Sequence, residues 1–340
     1  MPQSVSAIVV TWNGAEILRD CLDSLLAQQA VGMSLEVIVV DNGSEDNTPE
    51  LLAREYPGVV VVALPTNLGF TGGANAGIRA STSDLVVLVN NDARADPGFI
   101  AALQSRMSDD ERIGAVTGLI LLSGLYEAAV REEAGALLGI DGGAWHHSAR
   151  GEQLVNSTGG EVTTSANGRD RDWLLPIGEL ARESGPVPAF SGGAVALRRA
   201  ALDDVGLFDE RLFMYYEDTD LSWRMRAAGW RVVFEPDARV AHLHAASSGA
   251  TSEFFLFHNE RNRLLFAVKH GTAPVLIRAF GRTVASLVRS MLERDRDAVR
   301  RKRRAIRSAL GLAMAFWRER RGSVPARGIR RELWKGAPAD

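Results

Sequence analysis

A strand-end aspartate, an acidic cluster and two late histidines carry the chemistry open to this sequence. Asp92 closes the apolar run 85–89 through Asn90 and Asn91. A carboxylate at the end of a buried strand suits a hard divalent cation, Mg2+ or Mn2+, shared with phosphate oxygens and water. The same residue would also serve as a turn or helix cap ahead of Asp96-Pro97. Farther along, Glu217, Asp218 and Asp220 follow the aromatic run Phe213-Met214-Tyr215-Tyr216. Leu221, Met225 and Ala228 supply an apolar stripe, so Asp218 and Asp220 fall in the first turn of a helix, where the helix dipole favours acids. A carboxylate set among apolar rings also gains proton affinity, as a general base requires. His242 and His244 follow the strand-like stretches 231–234 and 239–240. A histidine there either completes a metal site or serves as a hydrogen-bonded structural residue.

These side chains need a frame to hold them. Residues 6–10 form a short apolar run ended by the turn chemistry of Thr11-Trp12-Asn13-Gly14. Leu18, Cys21, Leu22, Leu25 and Leu26 then recur on one helical face. Residues 37–40 make a second strand, closed by Asp41-Asn42-Gly43-Ser44, and Thr48-Pro49 opens a helix running through Tyr56. Residues 59–64 and 85–89 read as two more buried strands, separated by a glycine-rich stretch. Apolar strands linked by helices predict a parallel sheet covered on both faces.

Ligands of such sheets bind beyond the carboxyl ends of the strands. Thr11, Asn13, Asp41, Asn67 and Asp92 all fall there, although each alone would serve as a turn former. The stretch Asn67-Leu68-Gly69-Phe70-Thr71-Gly72-Gly73-Ala74-Asn75-Ala76-Gly77 reads as a loop whose backbone approaches a ligand and offers amides to a diphosphate. It matches neither the dinucleotide fingerprint nor the Walker pattern.

The 340 residues suffice for one large domain or two ordinary ones, and 46% hydrophobic with 24% charged content is that of a globular protein. A single cysteine, Cys21, allows no internal disulfide and points to the cytoplasm. The first residues lack a basic signal-peptide region, and no apolar run reaches the roughly 20 residues of a membrane span. Charge is uneven: residues 271–340 hold 18 of the 39 Lys and Arg but only 6 of the 42 Asp and Glu.

Taken in order, Ser6-Ala7-Ile8-Val9-Val10-Thr11-Trp12-Asn13, Val40-Asp41-Asn42-Gly43-Ser44, residues 67–77, residues 88–92 and residues 190–230 resemble the successive motifs of family 2 glycosyltransferases. The resemblance spans most of residues 5–270 and is nearest to rhamnosyltransferase-like members that build bacterial cell-envelope glycans. It implies the GT-A fold, an α/β architecture with a Rossmann-like, mostly parallel central sheet, helices on both faces and a C-terminal helical extension. Residues 1–122 would be the nucleotide-sugar-binding half, 123–270 the acceptor and catalytic half, and 271–340 a basic amphipathic helical region.

The resemblance also implies roles. Thr11, Asn13 and Asp41 would contact the base and ribose of a nucleoside-diphosphate sugar. Asn67, Gly69, Gly72, Gly73, Asn75 and Asn91 would line its ribose and diphosphate. Asp92 stands at the last Asp of the family's Asp-x-Asp metal motif, with Asn90 in place of the first. Asp218 takes the position of the catalytic base, with Glu217 beside it, and His242 that of a late metal or diphosphate contact. The glycines usual after that histidine are Ala245 and Ala246 here, and His244 competes with His242. The implied reaction is an inverting displacement onto a hydroxyl of a glycan, lipid-linked or small-molecule acceptor.

Residues 123–188 lack periodicity and read as a loop-rich excursion, either a surface hairpin or an acceptor contact through Trp145, His146 or Arg171. After His270, Val284, Leu287, Val288, Met291 and Leu292 form one helical stripe, and Ile306, Leu310, Ala313, Met314 and Trp317 another, with Arg300-Arg301-Lys302-Arg303-Arg304 between. Such helices suit either an anionic membrane surface, reached from the cytoplasmic side, or packing on the body or in a homodimer. No nucleic-acid recognition module accompanies the charge. Two other functions remain open to these residues: a metal-dependent nucleotidyltransferase, and a catalytically silent sugar-nucleotide or glycan-binding protein. A processive synthase is disfavoured, since no Gln-x-x-Arg-Trp motif is present.

Overall fold

The computed structural model describes residues 4–28, 34–130, 135–139, 142–181, 183–243, 252–322 and 331–340. In chain order the first half contains β1 (Ser4–Thr11), α1 (Leu18–Leu26), β2 (Ser34–Asp41), α2 (Thr48–Glu55) and β3 (Val60–Ala63). It continues with α3 (Gly69–Ala80), β4 (Leu85–Asn90), β5 (Ala93–Ala95), α4 (Phe99–Ser108) and β6 (Ile113–Leu122). Short strands follow: β7 (Leu125–Ala128), β8 (Leu137–Leu138), β9 (Ala144–Ser148), β10 (Val155–Ser157), β11 (Gly160–Val162), β12 (Gly168–Asp170) and β13 (Gly185–Pro186). Then come β14 (Ala194–Arg198), α5 (Arg199–Val205), α6 (Glu217–Ala227), β15 (Arg231–His242), α7 (Glu253–His270), α8 (Ala273–Leu292) and α9 (Arg296–Gly322).

The central sheet runs β13-β15-β6-β14-β4-β1-β2-β3. β1 pairs in parallel with β2 and β4, β2 with β3, and β6 with β15, whereas β14 lies antiparallel between β4 and β6. Strands from both halves of the chain therefore interleave in one sheet. Side chains alternate across it: Val5, Ala7 and Val9 pack into a core with α1 and α4, and Ile8 packs on the other side with residues of α3, α5 and α6. Register fixes the site edge, because Thr11 lies opposite Asp41 and Val10 opposite Asn90.

Three expectations change. The glycine run 69–77 is no loop but the body of α3. Glycine is a poor helix former, yet here its missing side chain lets the helix lie close on the sheet. A Cβ on Gly73 would stand 2.5 Å from Val10 Cγ1, and one on Gly77 2.5 Å from Ile8 Cγ2. The strand at 59–64 is not buried, for β3 is the sheet edge and Val60 and Val61 are exposed. The stretches 231–234 and 239–240 are one long strand, β15, with irregular pairing between Glu235 and Arg239.

The C-terminal helices lie on the body. Ala305, Ala309 and Phe316 of α9 are buried, and Phe316 joins a cluster with Leu264, Leu265 and Val268 of α7. Trp334 packs on Trp223 and Phe266, and its Nε1 donates to His270 O at 3.0 Å. Among the described residues, no helix is long and apolar enough to cross a membrane.

Candidate active site

The donor-side residues gather at the ends of β1 and β2. Thr11 Oγ1 accepts from Asn91 Nδ2 at 3.0 Å, which ties β1 to the turn after β4. Asp41 Oδ1 accepts from Ser44 N at 3.0 Å, and Asn13, at φ 51°, donates its amide to Ser44 Oγ at 2.9 Å. Asn67 Oδ1 receives Gly69 N at 2.8 Å and Asn42 Nδ2 at 3.2 Å. Asn42, which sequence reasoning passed over as a turn residue, is thus the hub joining that turn to the sheet; its Oδ1 also accepts from Leu68 N at 3.0 Å.

The remaining glycine-run residues turn inward. Gly73 faces Val10, Gly72 backs onto Leu68, and Asn75 is buried with its Nδ2 on Phe208 O and Glu210 Oε1, both at 2.9 Å. These contacts give Gly72, Gly73 and Asn75 a packing duty instead of a place along an open loop.

A second corner forms where β15 ends. His242 pairs with Ala93 of β5, so the chain sets it beside Asp92. His242 Nε2 lies 3.0 Å from Asp92 Oδ1, Leu243 N donates to Asp92 O at 3.0 Å, and the other ring nitrogen, Nδ1, is 2.8 Å from Asn156 Oδ1. Asn90 Nδ2 is 3.3 Å from the same Nε2. His244 lies outside the described residues. Among the described residues no cluster holds three or more His, Cys, Asp or Glu able to bind a metal. The pair nonetheless fits a divalent cation that draws its other ligands from phosphate and water. Two adjacent octahedral ligands at about 2.1 Å stand about 3 Å apart, and an Nδ1–H donated to Asn156 leaves the Nε2 lone pair facing the carboxylate.

The third corner is the start of α6. Asp218 Oδ2 accepts from Gly192 N at 3.3 Å, and Oδ1 from Thr219 N at 2.6 Å. The next residue, Gly193, accepts Asn90 N on its carbonyl at 3.1 Å, and a Cβ there would sit 3.2 Å from Asn90 Nδ2. Gly192 and Gly193 therefore bring Asp218 to the same edge as the Asn90-Asn91-Asp92 turn. Burial raises the proton affinity of Asp218, partly offset by its amide donors. Glu217 is raised well above the usual carboxylate range by burial and by the Asp218 charge, and its Oε2 is buried without a hydrogen-bond partner among the described residues.

The segment entering α6 is strained. Phe213, Tyr215 and Tyr216 all have φ near +70°, a costly conformation for residues with a side chain. α7 holds it in place. Asn262 Nδ2 lies within 3.0 Å of the carbonyls of Leu212, Met214 and Tyr215, and Arg261 Nη2 donates to Leu212 O at 2.6 Å. Asp220 has no part in the crevice. It is buried among Lys269 Nζ at 2.8 Å, His270 Nε2 at 2.7 Å and Arg224 Nε at 2.8 Å, which hold its carboxyl well below the usual range.

The segment after β9, expected to be loop or hairpin, contributes Asn156 and Asp170. Burial pushes Asp170 up to about 6, with the Asp218 charge adding to the effect and Ser157 and His242 opposing it, so this carboxylate senses both corners. Tyr216 ties the same hairpin to α6, accepting from Gly168 N at 2.7 Å and donating to Ala166 O at 3.0 Å. Trp145 and His146 sit instead on β9, paired with β7 in a separate three-stranded sheet.

Residues 2–266 match the model of glycosyltransferase-like family 2. An N-acetylglucosaminyl-diphospho-decaprenol L-rhamnosyltransferase of Mycobacterium tuberculosis is 29% identical over 279 residues, covering 78% of this chain and 84% of that one. GalNAc-T7, solved with UDP, GalNAc and Mn2+, superposes with a TM-score of 0.56 at 16% identity over 79% of this chain, which spans half of that one. A mannosyltransferase from Pyrobaculum calidifontis, solved with GDP-Man and Mn2+, gives 0.53 at 18% identity over 98% of this chain and 83% of that one. With a strand-end crevice, a family match across most of its length and this shared architecture, the chain belongs to glycosyltransferase-like family 2 and is a glycosyltransferase of the GT-A fold.

Proposed function

We propose that this enzyme transfers a sugar, L-rhamnose by analogy with the mycobacterial relative's name, from a nucleoside diphosphate to a hydroxyl of a glycan or lipid-linked acceptor in cell-envelope synthesis, with inversion. The observation that carries the reading is the Gly192-Gly193 link, which sets the acid of α6 against the strand-end turn holding Asp92. Thr11, Asn13 and Asp41 bind the base and ribose, and Asn67, Gly69 and Asn91 border the diphosphate. Asp92 and His242 would hold Mg2+ or Mn2+, which offsets charge on the departing nucleoside diphosphate.

Asp218 accepts the proton of the acceptor hydroxyl as that oxygen attacks the anomeric carbon and the bond to the diphosphate oxygen breaks. Burial and the Asp218 charge raise Glu217 further than Asp218, which makes it the weaker acid of the pair and gives the two neighbouring carboxyls different work. No covalent sugar–enzyme bond is needed.

The test is product analysis with dTDP-, UDP- and GDP-sugars and Mn2+, using polyprenyl-diphosphate sugar acceptors. Release of free nucleoside diphosphate with an inverted glycosidic bond is expected. Pyrophosphate release would identify a nucleotidyltransferase. Binding of every donor without turnover would identify a silent binding protein.

A further inference from the structure

The outward face of α8 is apolar, the reverse of what a solvated surface helix requires. Ile277, Val284, Val288, Met291 and Leu292 recur at i, i+7, i+11, i+14 and i+15, one line along the helix, and all are exposed, Ile277 by 74% and Leu292 by 80%. The opposite line, Val275, Ala279, Thr283 and Ser290, is the buried one. The helix thus seats Val275, Ala279, Thr283 and Ser290 on the protein, with Leu276 and Phe280 partly buried beside them, and still turns a second apolar line, Ile277 to Leu292, outward.

Its charge is equally one-sided. Ala273–Leu292 contains no Asp or Glu, and Arg278, Arg282 and Arg289 flank the apolar line on one side. Arg282 is paired with Asp340 at 3.2 Å, while Arg278 and Arg289 are exposed. The acids Glu293 and Asp295 begin only beyond the last residue of the helix.

We infer that α8 is a docking face for an anionic lipid bilayer, entered by the line from Ile277 to Leu292 and steered by its arginines. Apolar side chains bordered by guanidinium groups match the boundary between acyl chains and negative headgroups. A second copy of this chain fits less well, since an antiparallel twofold contact would set the same arginines against each other and a parallel one would leave them without a counter-charge on α8. The face lies outside the crevice and stands independently of the donor and acceptor assigned above.

The test is flotation of the full chain with vesicles of phosphatidylcholine alone and of phosphatidylcholine with phosphatidylglycerol. Binding to the anionic vesicles, weakened by salt and slight on the neutral ones, is expected. The triple variant I277S/V284S/L292S should lower partitioning more than tenfold with an unchanged circular dichroism spectrum and thermal unfolding, because those side chains face solvent. Arg278→Gln with Arg289→Gln should reduce the preference for anionic vesicles. Wild-type protein that stays unbound on anionic vesicles overturns the proposal, as does equal flotation of the triple variant. A wild-type dimer that the triple variant dissociates, with no flotation, assigns the face to a second copy and overturns it too.

Discussion

His242 Nε2 stands 3.0 Å from Asp92 Oδ1 because β15 ends by pairing with β5, while Asn156 Oδ1 lies 2.8 Å from the ring's other nitrogen. Asn156 orients the ring from the side opposite Asp92. Asn156→Ala should raise the Mn2+ concentration needed to support nucleotide binding about 10- to 100-fold. Turnover at saturating Mn2+ should change far less. A metal titration curve superimposable on the wild type would remove Asn156 from this role.

Asp218→Asn keeps the shape of the side chain and removes its basicity. Turnover should fall by about 10²- to 10⁴-fold, with the donor dissociation constant held within a factor of about two. Near-normal turnover would mean that another group takes the acceptor proton.

The loop leading into α6 depends on α7. Asn262→Leu strips the donor shared by the Leu212, Met214 and Tyr215 carbonyls and leaves them in a buried setting. At about 1 kcal/mol for each lost hydrogen bond, stability should drop by about 2–4 kcal/mol. Turnover should decline more than donor affinity, because the strained Phe213, Tyr215 and Tyr216 precede Asp218 and not the donor residues. Denaturant unfolding together with a KM-against-kcat comparison checks both parts.

Two buried histidines contribute to the loss of stability in acid. Burial lowers His270 and His258 to about 4 each, the former despite Asp220 beside it and the latter aided by Arg261. The unfolded chain takes up protons near pH 6.5 that the folded chain refuses until about pH 4. Their contribution is therefore present above pH 6.5 and lost as pH falls toward 4, with a slope approaching about 1.4 kcal/mol per pH unit for each histidine. His258→Phe should flatten that slope in urea unfolding followed from pH 7 to pH 4.5, whereas an unchanged slope would mean that His258 titrates normally in the fold.

Much of the site was legible because strand ends announce themselves. Thr11, Asp41 and Asp92 each follow an apolar run, and parallel register brings those ends to one edge. Asn156 and Asp170 were not legible, since they lie on two short strands without periodicity, β10 pairing with the distant β6 and β12 closing a local hairpin with β11. The glycine run was misread because local propensity says loop, while close packing on Val10 and Ile8 demands glycine within a helix. Val60 and Val61 look like core residues until the sheet order makes β3 an edge. On α8 the periodicity marked an apolar stripe but not its direction, and the structure turns it outward.

In the proposed mechanism a donor corner at Asp92 and a base at Asp218 divide the labour. Calorimetric binding of the preferred nucleoside diphosphate, with Mn2+ and with chelator, tests that division for wild type, Asp92→Asn and Asp218→Asn. Mn2+ should tighten binding at least tenfold in wild type and Asp218→Asn and leave Asp92→Asn unaffected. A metal response retained by Asp92→Asn but lost in Asp218→Asn would contradict it.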